Sequence, residues 1–385
     1  MRKYGTVLLF IIAFSIFVIL LVGIHPQNKG EELIGDKSLV KLLTKNTIVN
    51  ITEERQNIFF LKAHKCASST LQNILMRYGF SRNLDFVLPA VGNYIGNPEF
   101  FNGKLIPQPL RSHSGKYNIF THHTRYNFSA TKDVMYPDCA FVTILRNPPD
   151  LFESLYSFYH LEKLTKSTFK QFINDPKKHK NLKQQRFLNK IGLNQMSWDL
   201  GNNELENLSK AKIKKFIRKI EREFDLVLIS EYIEASLVLL CDLMKWPLKH
   251  VAFLKLNSRP VNMKNTLNDH ERDVISNLNA IDTELYDFFL DKFRQKIHAY
   301  GVERMAKDVK QLLKLNSQLW KDCVESPNNK GYARTLNYDI RNNLDWTCFY
   351  STRNELTFTD EIRDDQVRRF TAIKKLETFI EGGVE

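Results

Sequence analysis

One stretch decides the fold of this chain: Phe59-Phe60-Leu61-Lys62-Ala63-His64-Lys65-Cys66-Ala67-Ser68-Ser69-Thr70-Leu71-Gln72-Asn73-Ile74-Leu75. Its apolar start predicts a short buried strand, and its second half predicts a helix. The first backbone N–H groups of a helix are unpaired and lie at the positive end of the helix dipole, so an anion binds there. Lys65 adds a positive charge, and hydroxyl donors follow at Ser68, Ser69 and Thr70. The stretch is therefore typical of a phosphate-binding loop.

This turn is not the glycine-rich loop of nucleoside-triphosphate-binding proteins. That motif needs glycines before a terminal Gly-Lys-Ser/Thr. Here Lys65 comes first, and no glycine follows until Gly79, which we interpret as the helix end, where a left-handed residue is favoured. A helix cap after a core strand would also explain the hydroxyl residues, so this stretch alone leaves both interpretations open.

Strands and helices alternate after this turn. The continuous apolar run Cys139–Leu145 predicts a strand that is covered on both faces. Such alternation predicts an α/β fold with a central, mostly parallel sheet flanked by helices, in which ligands bind at the carboxyl ends of the strands. The predicted strands are Asn57–Leu61, Lys116–Thr121, Cys139–Leu145 and Asp225–Ser230, and the predicted helical stretches are Ser69–Tyr78, Asp150–His160, Lys210–Phe224, Asp269–Tyr300 and Met305–Trp320.

A second anion site is predicted where the strand Cys139–Leu145 ends. Arg146 follows this strand directly, and Ser154 lies two turns into the next predicted helix. A guanidinium suits phosphate because its fixed fork donates two hydrogen bonds at once. An arginine that caps carbonyls beside the Pro148-Pro149 turn is the simpler alternative if this motif is taken alone.

A pair of histidines follows another predicted strand. His122 and His123 have no third ligand at metal-binding spacing, so we expect no metal there. A histidine is suited to take a proton near neutral pH. We prefer His123 as a catalytic base and keep His122 as the second choice, since adjacent side chains of an extended segment point to opposite faces. The alternative is that both rings only form hydrogen bonds near the site.

The long segment Gly92–Ser114 is rich in Gly, Pro and Asn and predicts a loop. A long loop in a compact domain is often functional, so we consider acceptor binding, with a disordered insertion as the alternative.

The N-terminus predicts a membrane anchor. Gly5–Ile24 is an apolar run of about the length that crosses a bilayer, and a shorter run would be expected of a cleaved signal peptide. The basic Arg2-Lys3 pair predicts a cytoplasmic tail and a lumenal C-terminal bulk. The predicted organisation is residues 1–4 as cytoplasmic tail, 5–24 as signal anchor, 25–56 as stem, 57–320 as catalytic domain and 321–385 as a C-terminal extension packed on it.

In a lumenal protein, N-glycosylation and a disulfide bond both become plausible. N-glycosylation sequons begin at Asn50, Asn127 and Asn207. Cys323 and Cys348 become candidates for a disulfide, although the sequence does not prove the pairing.

The amino-acid composition limits the kinds of molecule that this chain is expected to bind. The chain has 385 residues and a net charge of +13, which suits an anionic partner such as nucleic acid, a membrane surface or a phosphorylated small molecule. No zinc-finger spacing or RNA-recognition signature occurs, so we expect no nucleic acid. The five cysteines are too scattered for a disulfide scaffold, and no Cys-x-x-Cys indicates a metal.

The two anion motifs together resemble those of sulfotransferases, which use the sulfate donor PAPS (3′-phosphoadenosine 5′-phosphosulfate). Lys65–Thr70 resembles their 5′-phosphosulfate loop, and Arg146 with Ser154 resembles their 3′-phosphate motif. The longer string Phe60–Thr70 resembles the galactose-3-O-sulfotransferase family. Further similar strings are Leu193-Asn194-Gln195-Met196-Ser197-Trp198-Asp199-Leu200-Gly201, Phe224–Leu237 and Asp282–Tyr286 with Phe288-Phe289.

This resemblance implies a P-loop-like sulfotransferase fold and transfer of sulfate from PAPS to the 3-hydroxyl of a β-galactose on a glycolipid or glycoprotein. It implies a Golgi membrane protein of single-pass type II, with no metal required, and it leaves open both a homodimer and the choice among galactosylceramide, lactosylceramide and N-acetyllactosamine acceptors. The implied roles are Lys65 and His123 in catalysis, Lys62, Lys65, Cys66, Ala67, Ser68, Ser69 and Thr70 at the 5′-phosphosulfate, and Arg146 and Ser154 at the 3′-phosphate.

Other functional classes fit the residues less well. A manganese-dependent glycosyltransferase usually carries an Asp-x-Asp, and a kinase needs a metal-binding Asp set and a Gly-rich loop; we find neither pattern. A non-catalytic lectin-like protein would be expected to have lost Lys65 or Arg146, and the chain retains both.

Overall fold

Five parallel strands form the centre of the structure, in the order β2-β3-β1-β4-β5. The structure, a computed structural model, describes residues 53–203, 209–256, 259, 264–331, 335–341 and 344–382. The central strand β1 is paired on both sides, with Phe59 opposite Phe120 on one neighbour and opposite Phe141 on the other. The strands are β1 (Ile58–Leu61), β2 (Phe86–Val87), β3 (Ile119–Phe120), β4 (Ala140–Leu145) and β5 (Leu226–Ile229).

Helices flank this sheet, as the alternation predicts. They are α1 (Ser68–Phe80), α2 (Phe128–Val134), α3 (Pro148–Phe158), α4 (Glu162–Thr165), α5 (Phe169–Asn174), α6 (His179–Gln184), α7 (Gln195–Asp199), α8 (Lys210–Glu223), α9 (Ile233–Met244), α10 (Asp269–Leu278), α11 (Ala280–Tyr300), α12 (Val302–Cys323), α13 (Trp346–Ser351) and α14 (Glu355–Gly382). An antiparallel pair, β6 (Val324–Asn328) and β7 (Asn337–Ile340), follows α12.

The predicted sheet is confirmed, and all five of its strands are parallel. The two-residue strand β2 was not predicted, because Phe86-Val87 is too short to form a pattern. The interpretation of Gly79 is wrong: helix α1 runs on to Phe80, and Gly79 is not left-handed. A glycine is needed there because an added Cβ would lie 2.4 Å from Ile119 and 2.5 Å from Phe86.

The C-terminal part packs over helix α1 and along the edge of the sheet. Cys323 and Cys348 form a disulfide bond that ties α12 to α13. The side chain of Gln366 on α14 accepts a hydrogen bond from the N–H of Phe86 (2.8 Å) and donates one to its C=O (2.9 Å). This side chain thereby satisfies an edge strand that would otherwise be open to pairing with another chain.

The larger compact unit begins at Glu53, so the last four residues of the predicted stem belong to it. Arg55 shows this, since its backbone N–H donates to the carbonyl of Met244 (2.9 Å). The predicted tail, the predicted anchor and the rest of the stem lie outside the described residues. Within the described ranges, no helix is both long enough and apolar enough to span a bilayer.

Candidate active site

The turn between β1 and α1 is a cradle of backbone N–H groups, which we call the anion loop (residues 65–69). Lys65 and Ala67 both have φ of +57°, in the left-handed region. Left-handed residues interspersed in a tight turn direct successive N–H groups to one side, which makes an anion-binding concavity. Among the described residues, none of the five N–H groups from Lys65 to Ser69 has a hydrogen-bond acceptor. The loop therefore has the backbone geometry of a phosphate-binding loop without its glycines.

Side chains brace this loop from behind. The hydroxyl of Ser68 donates to the carbonyl of Ala63 (2.7 Å), and the thiol of Cys66 donates to the carbonyl of His64 (3.3 Å). Burial raises the pKa of the Cys66 thiol well above its usual value, so this cysteine is a neutral space-filling residue. Thr70 is buried, and its N–H donates to Ala67 (3.1 Å). These residues shape the loop, and the N–H groups of residues 65–69 keep no acceptor among the described residues.

Two of the predicted phosphate ligands meet at the loop. The guanidinium of Arg146, at the end of β4, donates to the carbonyl of Lys65 (2.8 Å). The ammonium of Lys65 lies 3.6 Å from the ring centre of Phe158. Burial, together with the repulsion of Arg259 and Arg146, lowers the pKa of Lys65 to about 8. Such a cluster of positively charged side chains is typical of a site that binds a multiply charged anion.

Ser154 lies further along helix α3. It is buried, and no hydrogen bond joins it to Arg146 in the described part of the chain. Its neighbour Glu153 pairs with Arg259 (2.5 Å) and accepts from the N–H of Asn265 (3.1 Å). The structure thus brings Arg146 to the anion loop, while the role of the buried Ser154 at the 3′-phosphate stays a prediction.

Lys62 does not present its charge to the loop. Its ammonium donates to Gln72 (2.5 Å) and to Glu355 (2.8 Å), and it is 2% exposed. Ser69 is also engaged, since its hydroxyl donates to the same carboxylate (2.8 Å). Two of the side chains predicted to touch the donor are therefore held by a residue of the C-terminal part.

The two neighbouring histidines face opposite ways, as the extended backbone predicts. His122 contacts the hydroxyl of Thr359 on α14 (3.0 Å), and burial, with Lys62 and Arg363 nearby, lowers its pKa to about 3. His123 donates from Nδ1 to the carbonyl of Lys62 (2.8 Å), which leaves the lone pair on Nε2. Burial, reinforced by His64 and Lys62, holds the pKa of His123 well below its usual value. His123 is therefore a neutral imidazole.

A second imidazole is stacked on the first. The rings of His64 and His123 lie 4.2 Å apart. His64 Nδ1 contacts Asp199 (2.8 Å), whose carboxylate also accepts the backbone N–H of His64 (2.9 Å). On the other side, His64 Nε2 lies 3.0 Å from the hydroxyl of Tyr94. A buried carboxylate that orients an imidazole in this way stabilises the imidazolium that forms when the ring takes a proton.

The long loop Gly92–Ser114 closes over these rings. His123 donates its N–H to the carbonyl of Asn93 (3.0 Å), and its own carbonyl accepts from Ile95 (2.9 Å). The loop contains two short 3₁₀ turns, Gly103–Leu105 and Gln108–Leu110, and several of its apolar side chains are buried. The alternative of a disordered insertion is therefore wrong.

The remaining candidate sites have simple outcomes. Within the described ranges, the only cluster of three side chains that could bind a metal ion is Cys323, Asp345 and Cys348. Its two cysteines are joined in the disulfide bond. Asn127 caps helix α2, where its side chain accepts from Ala130 (3.4 Å). The other two sequons, at Asn50 and Asn207, have their asparagines outside the described residues.

Comparison with known proteins decides the family. The sequence model of the Galactose-3-O-sulfotransferase family matches residues 3–341. The chain belongs to this family. The resemblance that the motifs suggested is therefore confirmed.

The relatives bear names of the same kind. Galactosylceramide sulfotransferase from Bos taurus is 34% identical over 282 residues, which cover 71% of this chain and 65% of the relative. The Homo sapiens protein of that name is 34% identical over 287 residues, with the same coverage of 71% and 65%. Galactose-3-O-sulfotransferase 2 from Mus musculus is 30% identical over 319 residues, 76% of this chain and 80% of the relative. This member of the family thus spans 65% of the length of the galactosylceramide sulfotransferases that it matches.

Sequence reasoning missed three residues of this site. His64 and Asp199 both lie in strings that carry the family resemblance, but 135 positions separate them, so their pairing is not visible in the sequence. A histidine between two lysines directly after a strand was the available signal. Glu355 had none, because it lies 293 positions from Lys62 in a charged tail.

Proposed function

We propose that this protein transfers the sulfuryl group of PAPS to the 3-hydroxyl of a terminal β-galactose on a glycolipid or glycan. One observation carries the proposal: in a member of the galactose-3-O-sulfotransferase family, the N–H groups of residues 65–69 have no acceptor among the described residues, and the guanidinium of Arg146 is held on this same loop at the carbonyl of Lys65. A multiply charged donor fits this cradle, since its phosphosulfate would complete hydrogen bonds that the protein leaves open. The names of the relatives support galactose as the acceptor sugar.

The reaction is an in-line displacement at sulfur. The galactose 3-oxygen forms a bond to sulfur while the bond from sulfur to the 5′-phosphate oxygen breaks, and adenosine 3′,5′-bisphosphate leaves. Negative charge develops on the bridging oxygen of the leaving group. Preorganised N–H groups and the ammonium of Lys65 stabilise that charge, which is where electrostatic catalysis is most effective. The proposed donor site is of the P-loop-like sulfotransferase type.

The proton of the galactose hydroxyl goes to the stacked imidazole pair. His123 is the first candidate, since Nδ1–H is fixed on a carbonyl and Nε2 keeps its lone pair. His64 is the second, favoured by the carboxylate of Asp199 behind it. Both rings belong to the same stack, so either position is compatible with one acceptor site.

The proposal also includes the location of the protein in the cell. An apolar run of bilayer-spanning length at Gly5–Ile24 supports a Golgi membrane protein of type II whose catalytic part lies in the lumen. Glycosylation at the sequons and the disulfide Cys323–Cys348 are compatible with that compartment.

Calorimetric binding of adenosine 3′,5′-bisphosphate tests the donor site. We expect Lys65→Ala and Arg146→Ala to weaken binding by about 10- to 100-fold, because each removes a charge-assisted contact. Lys307→Ala, which changes an exposed lysine on helix α12, is the matched control and should leave the affinity unchanged. Equal affinities of all four proteins would contradict the assignment of the anion loop.

A further inference from the structure

The first turn of helix α14 brings a carboxylate to the side of the anion loop. Glu355 accepts hydrogen bonds from Lys62 (2.8 Å) and Ser69 (2.8 Å) on one oxygen, and from the side chain of Asn93 on the other. Burial alone would raise the pKa of Glu355, but the attraction of Lys62 and these hydrogen bonds lower it, so the group is charged. One ionised side chain thus joins the residue that follows strand β1, the first turn of helix α1 and the long loop.

This carboxylate does not fill the anion site. In the described part of the chain, no backbone N–H from Lys65 to Ser69 donates to it. An internal substitute for the donor would be expected to occupy those groups. Glu355 instead neutralises a buried ammonium beside the site, and the cradle stays open.

The first connection from Glu355 to the reacting groups runs through Lys62. The ammonium of Lys62 is fixed by Glu355 and Gln72, and the backbone carbonyl of the same residue accepts Nδ1–H of His123 (2.8 Å). The position of the Lys62 backbone therefore sets both the tautomer and the orientation of the His123 ring.

The second connection runs through Asn93. Its side chain is held by Glu355 and by Gln72 (3.0 Å), and its carbonyl accepts the backbone N–H of His123 (3.0 Å). The next residue, Tyr94, contacts His64 Nε2 with its hydroxyl (3.0 Å) and stacks on His123 at 4.8 Å. Both connections end at the same pair of imidazoles.

We propose that Glu355 is a positioning residue for sulfuryl transfer, through which the C-terminal helix sets the geometry of the imidazole pair. This inference rests on the proposed function, and it adds a role for a part of the chain in which no site residue was predicted. Glu355 contacts the anion loop only through the hydroxyl of Ser69 and accepts none of its described backbone N–H groups, so its removal should affect the chemical step more than donor binding.

The test compares Glu355→Gln with Asp360→Asn in the full-length chain. Both changes remove one negative charge from the first two turns of α14, but Asp360 is exposed and pairs only with Arg363 on its own helix in the described structure. We expect kcat of Glu355→Gln to fall by about 10- to 100-fold, since small displacements of catalytic groups have effects of that size. The donor KM and the affinity for adenosine 3′,5′-bisphosphate should stay within about threefold of the wild-type values. Asp360→Asn should match the wild type.

A paired replacement separates positioning from support of the fold. Lys62→Met/Glu355→Met removes both charges of this ion pair together, which avoids leaving the buried ammonium unpaired. We expect its Tm to be closer to the wild-type value than that of Glu355→Gln, while its kcat stays low at an unchanged donor KM. If kcat recovers together with Tm, the pair only supports the fold and the inference is wrong. It is equally wrong if Glu355→Gln turns over like Asp360→Asn. If the wild type itself transfers no sulfuryl group, it is the proposed function that fails.

Discussion

At the scale of single residues, the ammonium of Lys65 determines how the donor site responds to pH. A lysine pKa lowered to about 8 means that the side chain is charged below pH 8 and neutral above it. A neutral Lys65 no longer attracts the donor, so kcat/KM for PAPS should fall as the pH rises through about 8. Initial rates measured from pH 6 to pH 10 check this prediction.

Lys65→Arg is the diagnostic variant for that pH dependence. A guanidinium keeps its charge throughout the range, so the alkaline decline should move upward or disappear even if the overall rate is lower. An unchanged decline in Lys65→Arg would assign the titration to another group.

The imidazole pair offers a second prediction at the same scale. We expect His123→Asn to lower kcat by about 10²- to 10⁴-fold, the usual contribution of a general base. His122→Asn is the matched control, since its ring is equally buried but contacts Thr359 on α14. Its kcat should fall much less, provided that Tm shows both variants to be folded.

The variant Asp199→Asn tests whether His123 or His64 is the base. If His123 is the base, loss of the Asp199 charge should have a much smaller effect on kcat than His123→Asn. A large loss in Asp199→Asn with near-normal turnover of His123→Asn would move the role to His64, whose imidazolium needs that carboxylate.

At the scale of elements, the helix that follows the anion loop is held tightly against the sheet. An alanine at position 79 would place its Cβ 2.4 Å from Ile119 and 2.5 Å from Phe86, across the gap to strands β2 and β3. Gly→Ala in a helix ordinarily stabilises it, but overpacking of this kind typically costs about 1–3 kcal/mol. We therefore expect Gly79→Ala to lower the free energy of unfolding, measured by urea denaturation.

A compensating change tests the cause of that loss. Phe86→Leu shortens the side chain that the new methyl group would meet. The loss in free energy of unfolding of Gly79→Ala/Phe86→Leu should therefore be smaller than the sum of the losses of the two single variants. Strictly additive effects would show that the contact with Phe86 is not responsible.

The elements also show what the sequence could predict. Cys139–Leu145 and Asp225–Ser230 were predictable, because a long buried strand is continuously apolar. Strand β2 was not, since two residues carry no period, and the predicted strand Lys116–Thr121 shrinks to Ile119–Phe120. The loop Gly92–Ser114 is ordered by contacts with the segment around His123, which a local pattern cannot reveal.

At the scale of the whole molecule, the site is assembled from parts that lie far apart in the sequence. The anion loop, Arg146 and the histidines were predictable, since each follows a strand, and parallel strands end at one edge of the sheet. The carboxylates that hold the lysine and the imidazole were not, because Asp199 and Glu355 reach the site only through tertiary packing. The C-terminal extension, predicted to pack on the catalytic domain, contributes Glu355 beside the anion loop.

Transfer itself tests the account most directly. The full-length protein would be incubated with radiolabelled PAPS and galactosylceramide, lactosylceramide or N-acetyllactosamine, and the sulfated position would be determined by NMR of the product. We predict label on the 3-oxygen of galactose in at least one acceptor, and none with Lys65→Ala although that variant is folded. Absence of label from every galactose acceptor, or equal transfer by Lys65→Ala, would contradict the account.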